Sequence, residues 1–252
     1  MQRCIYSEAN FAHTDEIMLT ISLVGQKGGG GKSTCCWIFV QAVLARPGNL
    51  KVLLIETDTQ GSTTGFVQGA HDSYPDLTSR LFCERATSAE EIYELIVGAE
   101  EEGMDFVIID TEGRHSDLAR GVMAISDRII IPVKPVNHEY RSQLATLAVY
   151  ESILGTFTEQ GTPPPPCGLL LNNYNPTKKL TIEQAEDMTE VTGHPRLLPF
   201  YMPYRSNFQT LGKGRILFRE AMEMNSHSFR VKQIEADLME ADSILKEIEG
   251  MK

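Results

Sequence analysis

The sequence predicts an α/β protein with a mostly parallel central sheet flanked by helices. Short apolar runs alternate along it with helical stretches. Most of those runs are continuously apolar rather than alternating, as strands buried on both faces are. The first run also leads straight into a glycine-rich segment that ends in Lys-Ser-Thr. At 252 residues the chain is long enough for one large domain, and it contains no internal repeat. A single domain over residues 17–252 is therefore expected, after a polar extension over residues 1–16 expected to be poorly ordered.

The elements follow in order. Strands are expected at 17–24, at 52–55 (Val-Leu-Leu-Ile), at 106–109 (Phe-Val-Ile-Ile), at 128–133 (Arg-Ile-Ile-Ile-Pro-Val), at 168–171 and at 197–200. Helices are expected near 32–45, 89–100, 118–125, 140–157 and 181–191. A last helix over about 228–249 is strongly charged and offers Val231, Ile234, Leu238, Ile244 and Ile248 as one apolar face. Residues 161–166, rich in proline, read as a stiff connector into a strand rather than a domain linker.

Composition narrows the functional classes. The net charge of −11 excludes a uniformly basic nucleic-acid binder, though not a local basic patch. Five cysteines without a C-x-x-C pair exclude a disulfide framework and point away from zinc or iron–sulfur sites. Cys35 and Cys36 are expected to pack the helix after the glycines, and a reducing cytoplasm fits. No apolar run is long enough to span a bilayer, and no secretory signal pattern is present.

Residues 26–34 read Gln-Lys-Gly-Gly-Gly-Gly-Lys-Ser-Thr. Gly28, Gly29, Gly30 and Gly31 let backbone N–H groups converge on an anion without Cβ obstruction, and the next helix presents its positive end. Lys32 would reach the β and γ phosphates of a nucleotide, and the Ser33 hydroxyl would ligate Mg²⁺. Such a cradle needs one lysine at its end, so Lys27 asks for a separate role. A dinucleotide fingerprint cannot be completed, because Ser33 and Thr34 occupy its closing positions. A second segment, Glu56-Thr57-Asp58-Thr59-Gln60-Gly61-Ser62, follows the second expected strand. Asp58 there faces the ligand crevice and would position water or a metal-bound water; the alternative is that Asp58 and Ser62 cap the next helix. A third, Phe106 to Gly113, ends its strand in Asp110, the usual second acidic element of phosphate-loop enzymes. Gly113 lets a backbone N–H approach the γ-phosphate as a switch.

These motifs, with Ile129-Ile130-Ile131-Pro132-Val133 before a long helix and Asn172-Asn173-Tyr174-Asn175-Pro176, resemble the ParA/MinD family of ATPases with a deviant Walker A loop. The resemblance implies ATP and Mg²⁺ as cofactors. It implies that Lys27 crosses a homodimer interface to the partner's ATP. Lys32, Ser33 and Thr34 would bind phosphates and metal, and Asp58 and Asp110 would serve hydrolysis and Mg²⁺. Gly61 and Gly113 would lie in switches, and Asn172 would contact adenine. Glu56, Thr59 and Glu112-Gly113 depart from the partition pattern, and the extra methylene of Glu56 could slow hydrolysis by misplacing a carboxylate.

Between Arg196 and Lys232 lies a locally basic region. By resemblance to partition ATPases, Arg205, Lys213, Arg215 and Arg219 are candidates for nonspecific DNA binding. The competing reading is a solvated face ion-paired to the acidic last helix. That helix is also too acidic for a MinD-like membrane anchor. The expectation is a cytoplasmic, nucleoid-associated partition ATPase with a ParB-like, cargo-bound activator. The alternative is an enzyme or scaffold of the same fold that does not bind DNA.

Overall fold

The computed structural model describes residues 17–26, 29–113, 117–134 and 137–252. The extension over 1–16, Lys27 and Gly28 therefore lie outside the described residues. The chain runs β1 (Leu19–Leu23), α1 (Lys32–Ala45), β2 (Val52–Glu56), α2 (Ser62–Ser73), a 3-10 turn (Pro75–Ser79), β3 (Leu81–Arg85), α3 (Ala89–Glu101) and β4 (Phe106–Asp110). It continues through α4 (Asp117–Ile125), β5 (Arg128–Val133), α5 (Asn137–Gln160), β6 (Cys167–Tyr174), α6 (Ile182–Thr192), β7 (Leu197–Pro203), a 3-10 segment (Phe208–Lys213), α7 (Leu217–Glu223) and α8 (Phe229–Glu249).

Among the described residues the sheet has seven strands in the order β3-β2-β4-β1-β5-β6-β7. Every pairing is parallel. β1 sits at the centre, with β4 on one side (Leu23 opposite Asp110) and β5 on the other (Leu23 opposite Ile130). The chain leaves β1 towards β2 and later returns to β5 on the opposite side. A crevice for ligands is expected at such a reversal, beyond the strand ends.

Burial on both faces explains the apolar runs. Phe106 and Ile108 of β4 join one core with α1, α2, α7 and α8, while Val107 and Ile109 join the other with α3, α4, α5 and α6. The expected apolar face of the last helix is found: Val231, Ile234, Leu238, Ile244 and Ile248 are all buried in the first core. Ser228 begins it by accepting the Val231 N–H at 3.2 Å.

One strand escapes sequence reasoning. β3, Leu-Phe-Cys-Glu-Arg, lies at the sheet edge, and only its first residue is fully buried. An edge strand carries charges and lacks the double-sided burial that makes the central strands legible. α2 and α7 are likewise short helices set by packing. Gly69 and Gly214 allow the end of the Phe208–Lys213 segment to press onto α2. A Cβ on Gly69 would lie 2.8 Å from the Lys213 carbonyl, and one on Gly214 only 2.3 Å from the Ala70 nitrogen.

Among the described residues no helix is long and apolar enough to cross a membrane. Cys35 and Cys36 are buried in α1 as expected, and burial pushes the Cys35 thiol up to about 12. It is a packing residue without thiolate character at neutral pH.

Candidate nucleotide site

The site forms where β1 ends. Gly29 and Gly31 have φ of 97° and 91°, the left-handed region that glycine enters without penalty. Alternating with Gly30, they bend the loop into a concavity of backbone N–H groups suited to an anion. Lys32 opens α1 and is buried although charged. Burial pulls its ammonium below the ordinary value, while Asp110, Cys36, Asp58 and Glu112 pull the other way. Burial deprives the Lys32 ammonium of part of its hydration, which a bound polyphosphate would replace.

Asp110 ends β4 opposite Leu23 and is buried. Burial raises its pKa, against hydrogen bonds from Thr63 and Ser33 and the charge of Lys32. The Thr63 hydroxyl donates to Asp110 Oδ2 at 2.7 Å, and the Trp37 indole N–H donates to that same hydroxyl at 3.2 Å. Ser62 Oγ lies 3.4 Å from Ser33 Oγ. Ser33 and Asp110 thus put a hydroxyl and a carboxylate side by side at the edge of the glycine loop. These hard oxygen donors fit Mg²⁺ shared with phosphate. Among the described residues no group of three His, Cys, Asp or Glu side chains could hold a metal alone. Magnesium in phosphate sites takes one or two carboxylates and leaves its other positions to phosphate and water.

Asp58 stands apart from the buried network. It is half-buried, and its Oδ1 accepts the Gln60 N–H at 2.9 Å within its own turn. The capping alternative for Asp58 and Ser62 is overturned, because the N-cap of α2 is Gly61 (φ 72°) and no side chain caps from that position. The first-turn N–H groups instead meet Glu56, whose Oε1 accepts Thr63 N at 2.8 Å and whose Oε2 accepts Thr64 N at 2.9 Å. Glu56 thus meets the start of α2, where its two oxygens take two successive N–H groups. Gly61 is called for by its φ of 72°, whereas a Cβ there would meet only the movable tip of the Arg85 side chain.

The segments after β2 and β4 are tied by Thr57, whose hydroxyl accepts the Glu112 N–H at 2.8 Å. Gly113 follows, half-buried at the limit of the described stretch. Asn172 is buried on β6, and its Nδ2 donates to the Gly30 carbonyl at 2.7 Å, so it braces the loop. Thr34, Asn172, Asn173, Pro203 and Phe208 line a cavity of about 50 Å³ beside the loop. Asn172 forms one wall of that space. An adjoining pocket of about 430 Å³ is lined by Lys134, Tyr174, Lys178 and Tyr204. Lys134 also donates from Nζ to the Gly29 carbonyl. Sequence reasoning missed Lys134, Thr63 and Arg85. Only their positions, after β5 for Lys134, in the first turn of α2 for Thr63 and at the end of β3 for Arg85, could have signalled them.

The candidate DNA contacts fall elsewhere. Arg205 pairs with Glu240 at 2.8 Å and Asp237 at 3.4 Å on α8, Arg215 with Glu220 at 2.6 Å, and Arg219 with Asp76 at 3.0 Å. Lys213 is exposed and, among the described residues, forms no ion pair.

Parallel topology and this loop define the class: a phosphate-loop ATPase of the ParA/MinD type. The comparison with known proteins goes one step further, because the model of the VirC1 protein family matches residues 18–251, and the chain belongs to that family. The chromosome-partitioning ATPase Soj of Thermus thermophilus is 28% identical over 159 residues, 53% of this chain and 61% of that protein. The match thus spans less than two thirds of that relative's length. Among solved structures, the McdA–ATP complex of Cyanothece covers 91% of this chain and 96% of its own, with a TM-score of 0.61 at 16% identity. Cobyrinic acid a,c-diamide synthase of Mycobacterium smegmatis, with bound ADP and magnesium, covers 93% and 96% with a TM-score of 0.59 at 17% identity. At such identities the likeness is one of fold.

Proposed function

We propose that this protein is a partition or positioning ATPase that binds Mg·ATP, dimerises around it, holds nonspecific DNA and releases it after partner-stimulated hydrolysis. The observation that carries the reading is the buried contact of Asp110 with Ser33 and Thr63, beside a glycine loop headed by Lys32. Lys32 and the loop N–H groups would hold the phosphates, and Ser33 and Asp110 would hold the metal. Bound there, Mg²⁺ would neutralise charge developing on the phosphates. Asp58, half-buried and unencumbered by a helix cap, is suited to orient the attacking water. Lys27 would reach a second subunit's phosphates, which explains a lysine that a single cradle does not need. The γ-phosphate would hold the segments of Gly61 and Gly113 together, and its loss would release them.

Support for a DNA surface narrows to Lys213. The close Gly69–Gly214 approach fixes that lysine against α2, the helix that begins at Gly61. A nucleotide-driven shift of α2 would therefore move it. Dimerisation would double such weak contacts on one surface.

The ion pairs of Arg205, Arg215 and Arg219 favour a second reading, a nucleotide-dependent scaffold or enzyme without DNA binding. Retention on nonspecific duplex DNA with ATP, ADP or no nucleotide, at two salt concentrations, separates the two. Retention only with ATP, lost at higher salt, supports the DNA-tethered ATPase. Hydrolysis without retention in any state supports the second reading.

A further inference from the structure

We infer that Lys134 is a positioning residue of the nucleotide site: by anchoring the Gly29 carbonyl it aims the neighbouring N–H into the anion cradle. This rests on the nucleotide reading above. Its basis is the register of the central strands. Val24 N donates to the Ile130 carbonyl at 2.9 Å, so the end of β5 runs on past β1 and alongside the glycine loop. A Cβ on Gly30 would lie 3.3 Å from the Pro132 carbonyl, which shows how closely β5 walls the loop. Lys134 follows β5 directly, and its ammonium bonds the Gly29 carbonyl.

Asn172 holds the next carbonyl, that of Gly30, at 2.7 Å from the β6 side. No cis peptide occurs among the described residues. In a trans peptide the N–H points opposite to the C=O. Anchoring the Gly29 and Gly30 carbonyls therefore fixes the directions of the Gly30 and Gly31 N–H groups. Four glycines give this loop freedom to curve but no means to hold one curvature, and the entropy lost on ordering them is large. Two clamps on successive carbonyls supply that restraint. Lys134 adds a charge where the site needs one. It is half-buried between the two cavities and, among the described residues, pairs with no carboxylate.

The test is nucleotide affinity of the whole chain, read by displacement of a fluorescent ATP analogue, for wild type, Lys134→Ala, Lys134→Gln and Lys134→Arg. Loss of a charge-assisted bond that orders the loop is expected to weaken ATP and ADP binding about tenfold in Lys134→Ala. Lys134→Arg should recover most of it, and Lys134→Gln part. The melting temperature without nucleotide should be the same in all four. Lys134→Ala that binds ATP as wild type does, or Lys134→Arg as weak as Lys134→Ala, overturns the inference. Wild type that binds no ATP would instead overturn the nucleotide reading itself.

Discussion

Glu56 and Thr63 are joined at the start of α2: the Glu56 carboxylate accepts the Thr63 N–H at 2.8 Å, and the Thr63 hydroxyl in turn donates to Asp110 at 2.7 Å. A buried strand-end carboxylate therefore sets the position of the hydroxyl that holds the second acidic residue. The placement suits the physics of helix ends, where unpaired N–H groups and the helix dipole welcome negative charge. Arg85 approaches Glu56 from the edge strand at 3.8 Å.

Glu56→Gln replaces one acceptor oxygen by an amide nitrogen facing an N–H donor. It should destabilise the protein by about 1–3 kcal/mol in urea unfolding, as a buried donor loses its partner. An unchanged midpoint would show that α2 is held without this cap.

Asp110→Asn tests the buried carboxylate through pH. Its folded pKa is raised above the ordinary value of 3.8, chiefly by burial, so the folded state holds this proton more tightly than the unfolded chain. Its contribution is thus full below the ordinary value and is lost as pH rises through the folded one. The melting temperature of Asp110→Asn should gain on wild type from acid towards neutral pH, while the Mg²⁺ dependence of ATP binding disappears. A difference that is flat across pH would refute the assignment of burial as the dominant cause.

For Asp58→Ala the expectation is reversed: little change in stability and a large loss of turnover. Among the described residues the side chain bonds only its own turn, at 2.9 Å to Gln60 N, and it is not buried. Stability should stay within about 0.5 kcal/mol. ATP hydrolysis should fall by about a hundredfold or more, leaving an ATP-bound dimer detectable by light scattering. Normal turnover would return Asp58 to a local turn role.

Lys213→Glu and Arg205→Gln separate surface from scaffold. Lys213→Glu should abolish ATP-dependent DNA retention at unchanged stability. Arg205→Gln, which breaks the bidentate pair to Glu240 at 2.8 and 3.0 Å, should cost about 1 kcal/mol with a smaller effect on retention. Retention lost only in Arg205→Gln would move the DNA surface to α8.

The central strands, the glycine loop and the last helix were legible because each carries its own local reason. Two-sided burial demands continuous apolar residues, an anion cradle demands glycines, and one buried helix face demands spaced aliphatics. β3 carries no such signature: at the edge, Glu84 and Arg85 are as acceptable as valine. Charge counting over 196–232 left two readings open: Arg205 follows the competing one, paired to the acidic last helix, whereas Arg219 finds Asp76, far away in sequence before β3.

The sequence by itself determined the sheet class, the phosphate-loop position and the carboxylates that follow β2 and β4, since these depend on neighbours a few residues apart. Only the tertiary structure decided which groups each carboxylate meets. It set Glu56 on α2, left Asp58 at the crevice and buried Asp110 against Ser33 and Thr63. It also brought Asn172 and Lys134 onto successive glycine carbonyls from two different strands. Hydrogen bonds between residues more than a hundred positions apart are fixed by strand order and register, and no local pattern in the chain encodes those.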